Sequence, residues 1–414
     1  MVSYWKHLSM ACMTVLAAAG GAGAADYETA RNRSVKEVLP PAVAAGPDYT
    51  VTDPVVADGY MYNFKVKSPY AVFAVTGTGA LRKLEREIWA IGQLKQVTKS
   101  EAFLKSLKDQ AGKPLVFAKD VVTNPGETLS GIPKGVGRLF SNASSAITNK
   151  KDPSQESTAK EVLLVGSFKR DYAARYEVDP YSSNQVLQDE LDKIGKAAAF
   201  GSWTASAAMM PISGPASSVI TVTSLSKSFN NVLAAEPPSR IRVINEEKLG
   251  QMGIASDVAK RYLDHPVYTP RQDLLLVDSL HRLGAATGRD AYLNAAMLAA
   301  DEVEANFFVN MAQILRGYHE KQNPITGITM VGPLTVAQTQ VGAAMIPFAL
   351  DHGVWTANAD KLSQELKANY RAPGFNGSFE FWVSGTLSAK GKQELQARGF
   401  SVVEQVGTRI DIVD

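Results

Sequence analysis

The chain is nearly free of cysteine. Of its 414 residues only Cys12 carries a thiol, and Cys12 lies inside an apolar N-terminal run. Once that run is removed no disulfide can staple the remainder, and a zinc site built on thiolates is excluded. Net charge is scarce as well. The 43 Lys and Arg residues face 41 Asp and Glu residues, so the one-sided basic surface of a nucleic-acid binder is missing. Histidine is sparse: beyond the N-terminal run only His265, His281, His319 and His352 remain. No two of them have the spacing of helix-borne metal ligands, and there is no H-E-x-x-H.

Catalytic motifs are missing in the same way. Gly77-Thr78-Gly79 starts like a dinucleotide-binding turn, but Arg82 occupies the third glycine position, where close helix–strand packing needs glycine. A strand running into a helix capped near Thr78 accounts for these residues. Gly131 is followed by Ile132-Pro133 rather than Lys-Ser or Lys-Thr, so the P-loop pattern fails. Ser224-x-x-Lys227 and Ser157-x-x-Lys160 both match S-x-x-K, yet neither is joined by Lys-Thr-Gly or Ser-Asp-Asn. No G-x-S-x-G elbow is present. Asp278 and His281 stand i,i+3 on a helix, a spacing typical of surface pairs. His319 sits at a helix end, where a positive imidazole would suit the dipole. No catalytic residue, cofactor-binding residue, metal ligand or cofactor is therefore assigned.

What is present begins at the N-terminus. Lys6 precedes the run LSMACMTVLAAAGG, and small residues follow it up to Ala24 and Ala25. This is the pattern of a cleavable export signal, cut near Ala24/Ala25, either before Ala25 or before Asp26. Acylation of Cys12 would cut the apolar run short. The expected location is periplasmic or secreted.

Beyond the signal, Tyr60, Tyr62, Phe64 and Val66 alternate with polar neighbours after the hairpin signal Asp58-Gly59. Leu84, Ile88 and Ile91 then recur at helical spacing. The stretch SRIRVINEE reads as one strand. Longer helices fill the middle of the chain. Near the C-terminus a strand, a helix between Ser388 and Gly399, and a second strand follow in order, with RIDIV as a further strand. The expected fold is α+β and predominantly α-helical, with a small N-terminal antiparallel β-meander and a C-terminal strand–helix–strand unit. The expected organisation is a signal peptide (1–25), an extended and loosely ordered lead-in (26–47), and a meander with helices (48–148). A linker (149–159), a helical domain (160–370) and a C-terminal α/β unit (371–414) follow.

Two stretches stand out because they lack charge. Between Lys196 and Glu236 the only charged residue is Lys227, and between Lys321 and Asp351 there is none. Pro and Gly break both, so neither is a clean transmembrane helix. They are read as passing through the centre of a helical fold, or as hairpins against a membrane. Glu302, Asn306, Asn310 and Gln313 form a polar stripe on the helix between them, suited to bonding with these segments or to lining a wet cavity. A second surface feature is an amphipathic stretch in which Ile132, Val136, Leu139 and Ile147 form an apolar stripe. Lys134 and Arg138 lie off that stripe and Phe140 sits at its edge. It fits a helix docked on the core, or one lying in a membrane interface. The expected role is that of a cell-envelope protein acting by binding or structure rather than catalysis. A membrane-associating protein and an envelope hydrolase are the alternatives. A membrane surface or an envelope protein is the candidate partner, and nucleic acid is not.

Overall fold

The computed structural model describes residues 26–101, 103, 153–199 and 224–413. The expected signal peptide and the whole Ile132–Ile147 stretch lie outside the described residues, as does most of the first charge-poor segment.

The expected lead-in is not a loose arm. It carries two short helices, α1 (Val35–Val38) and α2 (Pro41–Ala44), and leads into β1 (Ala45–Gly46). With β2 (Tyr49–Ala57), β3 (Tyr62–Lys67) and β4 (Val72–Thr76), β1 forms a four-stranded antiparallel sheet in sequence order. In β3 the alternation is realised: Tyr62, Phe64 and Val66 are buried while Lys65 and Lys67 face water. Helix α3 (Thr78–Lys99) packs on this sheet through Leu81, Leu84 and Ile88. The next turns of the same helix, Ile91, Leu94 and Val97, enter a second core with Leu187, Leu191 and Ile194.

Helix α4 (Pro153–Arg175) begins inside the stretch expected as a linker. It pairs with α5 (Gln185–Ala199). Between them Glu177 has φ +53 at the position after the helix end. The N–H groups of Glu177 and Val178 donate to the carbonyls of Ala174 and Ala173, the reciprocal closure that usually employs glycine.

A helical layer follows: α6 (Ser224–Ala235), α7 (Pro238–Gln251), α8 (Ser256–Leu263), α9 (Pro270–His281), α10 (Arg289–Ala296) and α11 (Glu302–Lys321). The segment SRIRVINEE, expected as a strand, lies in α7. Pro238 occupies its first turn, and Ile241, Asn245 and Leu249 fall one turn apart on the buried face. That four-residue spacing outweighs the β-branched residues.

The second charge-poor stretch passes through the interior of the fold as strands rather than helix. It forms β5 (Ile325–Val331), β6 (Leu334–Thr339) and β7 (Ala344–Phe348). After β8 (His352–Gly353) and α12 (Ala357–Asn369) come β9 (Phe379–Val383), β10 (Thr386–Leu387), α13 (Ala389–Ala397) and β11 (Phe400–Val403). The larger sheet has the order β11-β9-β7-β6-β5. Strands β7, β9 and β11 run parallel, and β5 and β6 are added antiparallel. This sheet joins strands from both sides of residue 371. One face (Leu334, Ile346, Phe400) meets α12 and α13, and the other (Ala337, Met345, Trp382) meets the helical layer. Strands β6 and β7, buried on both faces, read as uncharged runs without alternation, while β5 is the edge strand, with Thr326 and Thr329 exposed.

The fold is thus mixed α+β and helix-dominated, with the N-terminal antiparallel sheet and the C-terminal strand–helix–strand unit β9–α13–β11. The RIDIV segment forms no strand. It lies along α11, where Gly317 leaves room for Ile410: a Cβ there would stand 2.6 Å from the Ile410 Cβ. The polar stripe of α11 bonds to this tail and to α9, not to the charge-poor strands. Gln313 exchanges two hydrogen bonds with the Val413 backbone, at 2.7 and 3.1 Å, and Asn306 accepts from Gln272 at 2.8 Å. No described helix is long and apolar enough to cross a membrane.

Candidate functional site

The turn at Gly77-Thr78-Gly79 is filled by the protein itself. The Asp351 carboxylate accepts the Thr78 N–H at 3.0 Å and the Tyr62 N–H at 2.9 Å. An anion already sits where a phosphate would be cradled at the start of α3. Burial pushes the Asp351 carboxyl up from its ordinary range despite these bonds. The turn is a structural joint between the two sheets.

The four histidines assemble no nucleophile. Arg33 is a donor only, so its bond to His352 Nε2 (3.1 Å) makes that nitrogen an acceptor. The proton then resides on Nδ1 and is donated to Thr386 Oγ1 at 2.9 Å. An imidazole in this tautomer cannot take a proton from Thr386. Burial, reinforced by Arg33, holds its pKa low. His319 accepts the Ile325 N–H through Nδ1, so it is held neutral rather than positive; burial lowers its pKa. His281 bonds Gln251, while Asp278 pairs with Lys248 and Arg282, so the expected Asp278–His281 pair is split. His265 packs edge-on against Tyr268. Ser224 begins α6 on an exposed turn. Among the described residues no group of three His, Cys, Asp or Glu side chains could hold a metal ion.

Two cavities among the described residues stand out. The smaller, about 30 Å3, lies among α3, the α4–α5 connection and α9, and is lined by Arg82, Lys83, Arg86, Glu87, Asp179 and Arg271 among others. Its charges answer one another. Lys83 lies 3.5 Å from Asp179 and 4.0 Å from Glu87. Glu87 also accepts from Ser182 and Asn184.

The larger cavity, about 90 Å3, separates one face of the five-stranded sheet from α12 and α13. Ile346, Phe381 and Phe400 form the sheet wall, Leu362, Leu366 and Leu395 the helix wall. Local sequence positions both helices. Thr356 caps α12 by accepting the Ala359 N–H, and Ser388 caps α13 by accepting the Gly391 N–H. At one side four half-exposed rings meet. Phe348 is their hub, with ring centroids 5.9 Å from Tyr60, 5.3 Å from Phe307 and 5.9 Å from Phe381. Trp355, 3 % exposed, forms part of the wall. It is held by the segment that follows the expected export signal. The Glu28 carboxylate accepts the Trp355 N–H at 2.7 Å and the Ser388 hydroxyl, and the Glu28 N–H donates to the Trp355 carbonyl at 2.7 Å. Tyr27 donates to Asp360, and Arg398 bridges Asp360 while lying 4.6 Å over the Trp355 ring.

Several polar groups along the wall are used internally. The Ser363 hydroxyl donates to the Asp360 carbonyl, the Val354 N–H to the Gly59 carbonyl, and the Ser388 N–H to the Gly353 carbonyl. The cavity therefore offers mainly apolar contact. None of the residues singled out in the sequence for surface contact (Ile132, Lys134, Val136, Arg138, Leu139, Phe140, Ile147) lies within the described residues. Sequence reading missed the cavity because its lining looks like core: Tyr60 and Phe400 are far apart in the chain, and apolar periodicity does not distinguish a filled interior from an empty one. Comparison with known proteins finds no matching family model, no matching curated protein and no matching solved structure.

Proposed function

We propose that this is an exported cell-envelope protein, secreted or periplasmic, that acts by binding an apolar ligand between its larger sheet and α12–α13. One observation carries the reading: an enclosed space of about 90 Å3 whose walls are almost entirely hydrocarbon. Small-molecule sites are usually lined by apolar and aromatic residues with few polar groups. Filled with water, such a space stays costly, because water there finds few partners. The half-exposed rings around Phe348 are an apolar surface that a ligand would cover.

The hydrolase alternative is disfavoured by the tautomer of His352 and by the absence of any Ser–His contact among the described residues. The export reading rests on the N-terminal pattern around Lys6 and Ala25. It gains support from the docking of Asp26, Tyr27 and Glu28, which leaves the expected cut at the edge of a folded surface.

The binding reading is tested with N-phenyl-1-naphthylamine, which fluoresces in apolar surroundings. Protein starting at Asp26 is expected to bind the dye, and Ala359→Trp, which fills the helix wall, to weaken binding at least about tenfold. Dye binding that is unchanged in a folded Ala359→Trp variant would remove the cavity from consideration. N-terminal sequencing of material exported from the full-length gene tests the cut.

A further inference from the structure

We infer that residues 26–33 form an acid-sensitive strap: a proton on His352 turns the acceptor of Arg33 into a second cation and loosens the strap from the C-terminal unit. The segment crosses between the two sheets. At one end the Arg33 N–H and carbonyl pair with Val55 of β2 at 3.0 and 2.9 Å. At the other, Glu28 holds Trp355 and Ser388, Tyr27 holds Asp360, and the Asp26 carboxylate lies 2.6 Å from Lys390. No residue from 26 to 34 is buried, so polar contacts fix the segment and its release exposes little apolar surface. Elements held in this way lie at the low-stability end of a fold.

His352 faces the strap through one atom. Its Nε2 accepts from Arg33 at 3.1 Å, its Nδ1 donates to Thr386 at 2.9 Å, and its ring lies parallel to Tyr62 with centroids 6.4 Å apart. A guanidinium donates only, so the contact exists only while the imidazole is neutral. A protonated Nε2 carries its own hydrogen; the bond is lost and two cations face each other. Glu28 and Glu404 are the nearby anions that would favour the imidazolium. Both are engaged elsewhere, Glu28 by the Trp355 N–H and Ser388, Glu404 by the Leu387 N–H and Lys392. Burial first, and Arg33 second, hold the ring below its ordinary 6.5. Docking is therefore fully supported above pH 6.5 and weakens as pH falls through the lowered value. Asp351, beside His352 in the chain, is pushed up by burial, so its titration works in the opposite direction and favours the fold in acid.

Hydrogen exchange read by mass spectrometry between about pH 7.5 and about pH 5 tests the strap, with each rate divided by the intrinsic rate of its peptide at that pH. One linked proton allows at most about a tenfold loss of protection per pH unit. A total loss of at least about fivefold is expected at the Glu28, Arg33 and Trp355 amides, with β3 unchanged. His352→Gln is neutral at every pH and its amide oxygen accepts from Arg33, so its protection is expected to stay level. Constant protection in the unaltered protein, or an equal loss in His352→Gln, overturns the strap. Should His352→Gln not fold, the His352 ring resonances of the unaltered protein still decide. Their titration midpoint is expected to coincide with that of the protection loss, and separate midpoints overturn the strap. No ligand enters the test, so its outcome is distinct from that of the binding reading.

Discussion

Replacing Asp273 by asparagine should stabilise the protein, and increasingly so as pH rises. Asp273 lies in the first turn of α9 with its Oδ1 sealed from solvent and without a hydrogen-bond partner. Burial pushes its carboxyl from 3.8 up to about 8, only partly opposed by the nearby Tyr262 hydroxyl and the positive Arg242. Below pH 3.8 the group is protonated folded and unfolded, and it costs nothing. Between 3.8 and about 8 the unfolded chain ionises while the folded chain keeps the proton, so stability falls as pH rises. Each pH unit in that window is worth about 1.4 kcal/mol, which sets a ceiling of roughly 6 kcal/mol. Water entry during local opening lowers such figures, and about half is the expected size. Above pH 8 the loss is complete and the curve is level. Asparagine carries no charge at any pH and keeps the shape. Urea unfolding from about pH 5 to about pH 9 should show the advantage of Asp273→Asn widening up to pH 8 and then holding constant. Equal stabilities of the two proteins throughout that range would refute the argument.

Three further substitutions probe other parts of the fold. Glu28→Ala removes the acceptor of the buried Trp355 N–H, so it should cost about 1–2 kcal/mol in urea unfolding and shift the tryptophan emission; emission unchanged with stability intact would show that the segment does not hold the wall. Glu177→Gly relieves a left-handed residue at a helix end and should raise stability by about 0.5–1 kcal/mol, read from the urea midpoint; a loss would mean that the glutamate side chain contributes more than its backbone costs. Gly288→Ala should destabilise by about 3 kcal/mol or more, because φ is +75 and the added Cβ would overlap the Ile328 carbonyl of β5; soluble protein with an unshifted midpoint would contradict the close approach of α10 to that strand.

Legibility followed the length scale of the interactions. The alternation of Tyr62, Phe64 and Val66, the turn at Asp58-Gly59 and the cap at Ser388 are local, and each appears where its residues place it. The α7 segment misled because Ile241, Val243 and Ile244 favour strands taken singly, while the deciding stripe of Ile241, Asn245 and Leu249 is visible only over a longer window. The strands β6 and β7 were hidden for the opposite reason. Burial on both faces erases the alternation by which strands are recognised. The docking of Glu28 could not be read at all, because its partners Trp355 and Ser388 lie more than three hundred positions away.

The two cavities show why function is assigned to the apolar one. In the charged cavity the Lys83 ammonium is buried with two carboxylates, and Glu87 accepts from two further side chains. A charged ligand entering there would have to displace internal partners whose separation costs several kcal/mol. The interaction energy is already committed to joining α3 to the α4–α5 connection. In the apolar cavity nothing has to be displaced. Its walls face space that no side chain fills, and contact with hydrocarbon is unopposed gain of about 25 cal/mol per Å2 covered. The sheet wall is braced from behind by the helical core and the helix wall by capped helices, so closing the space by collapse would strain both layers. A space walled almost entirely by hydrocarbon, with few polar atoms, favours an apolar guest over a charged one.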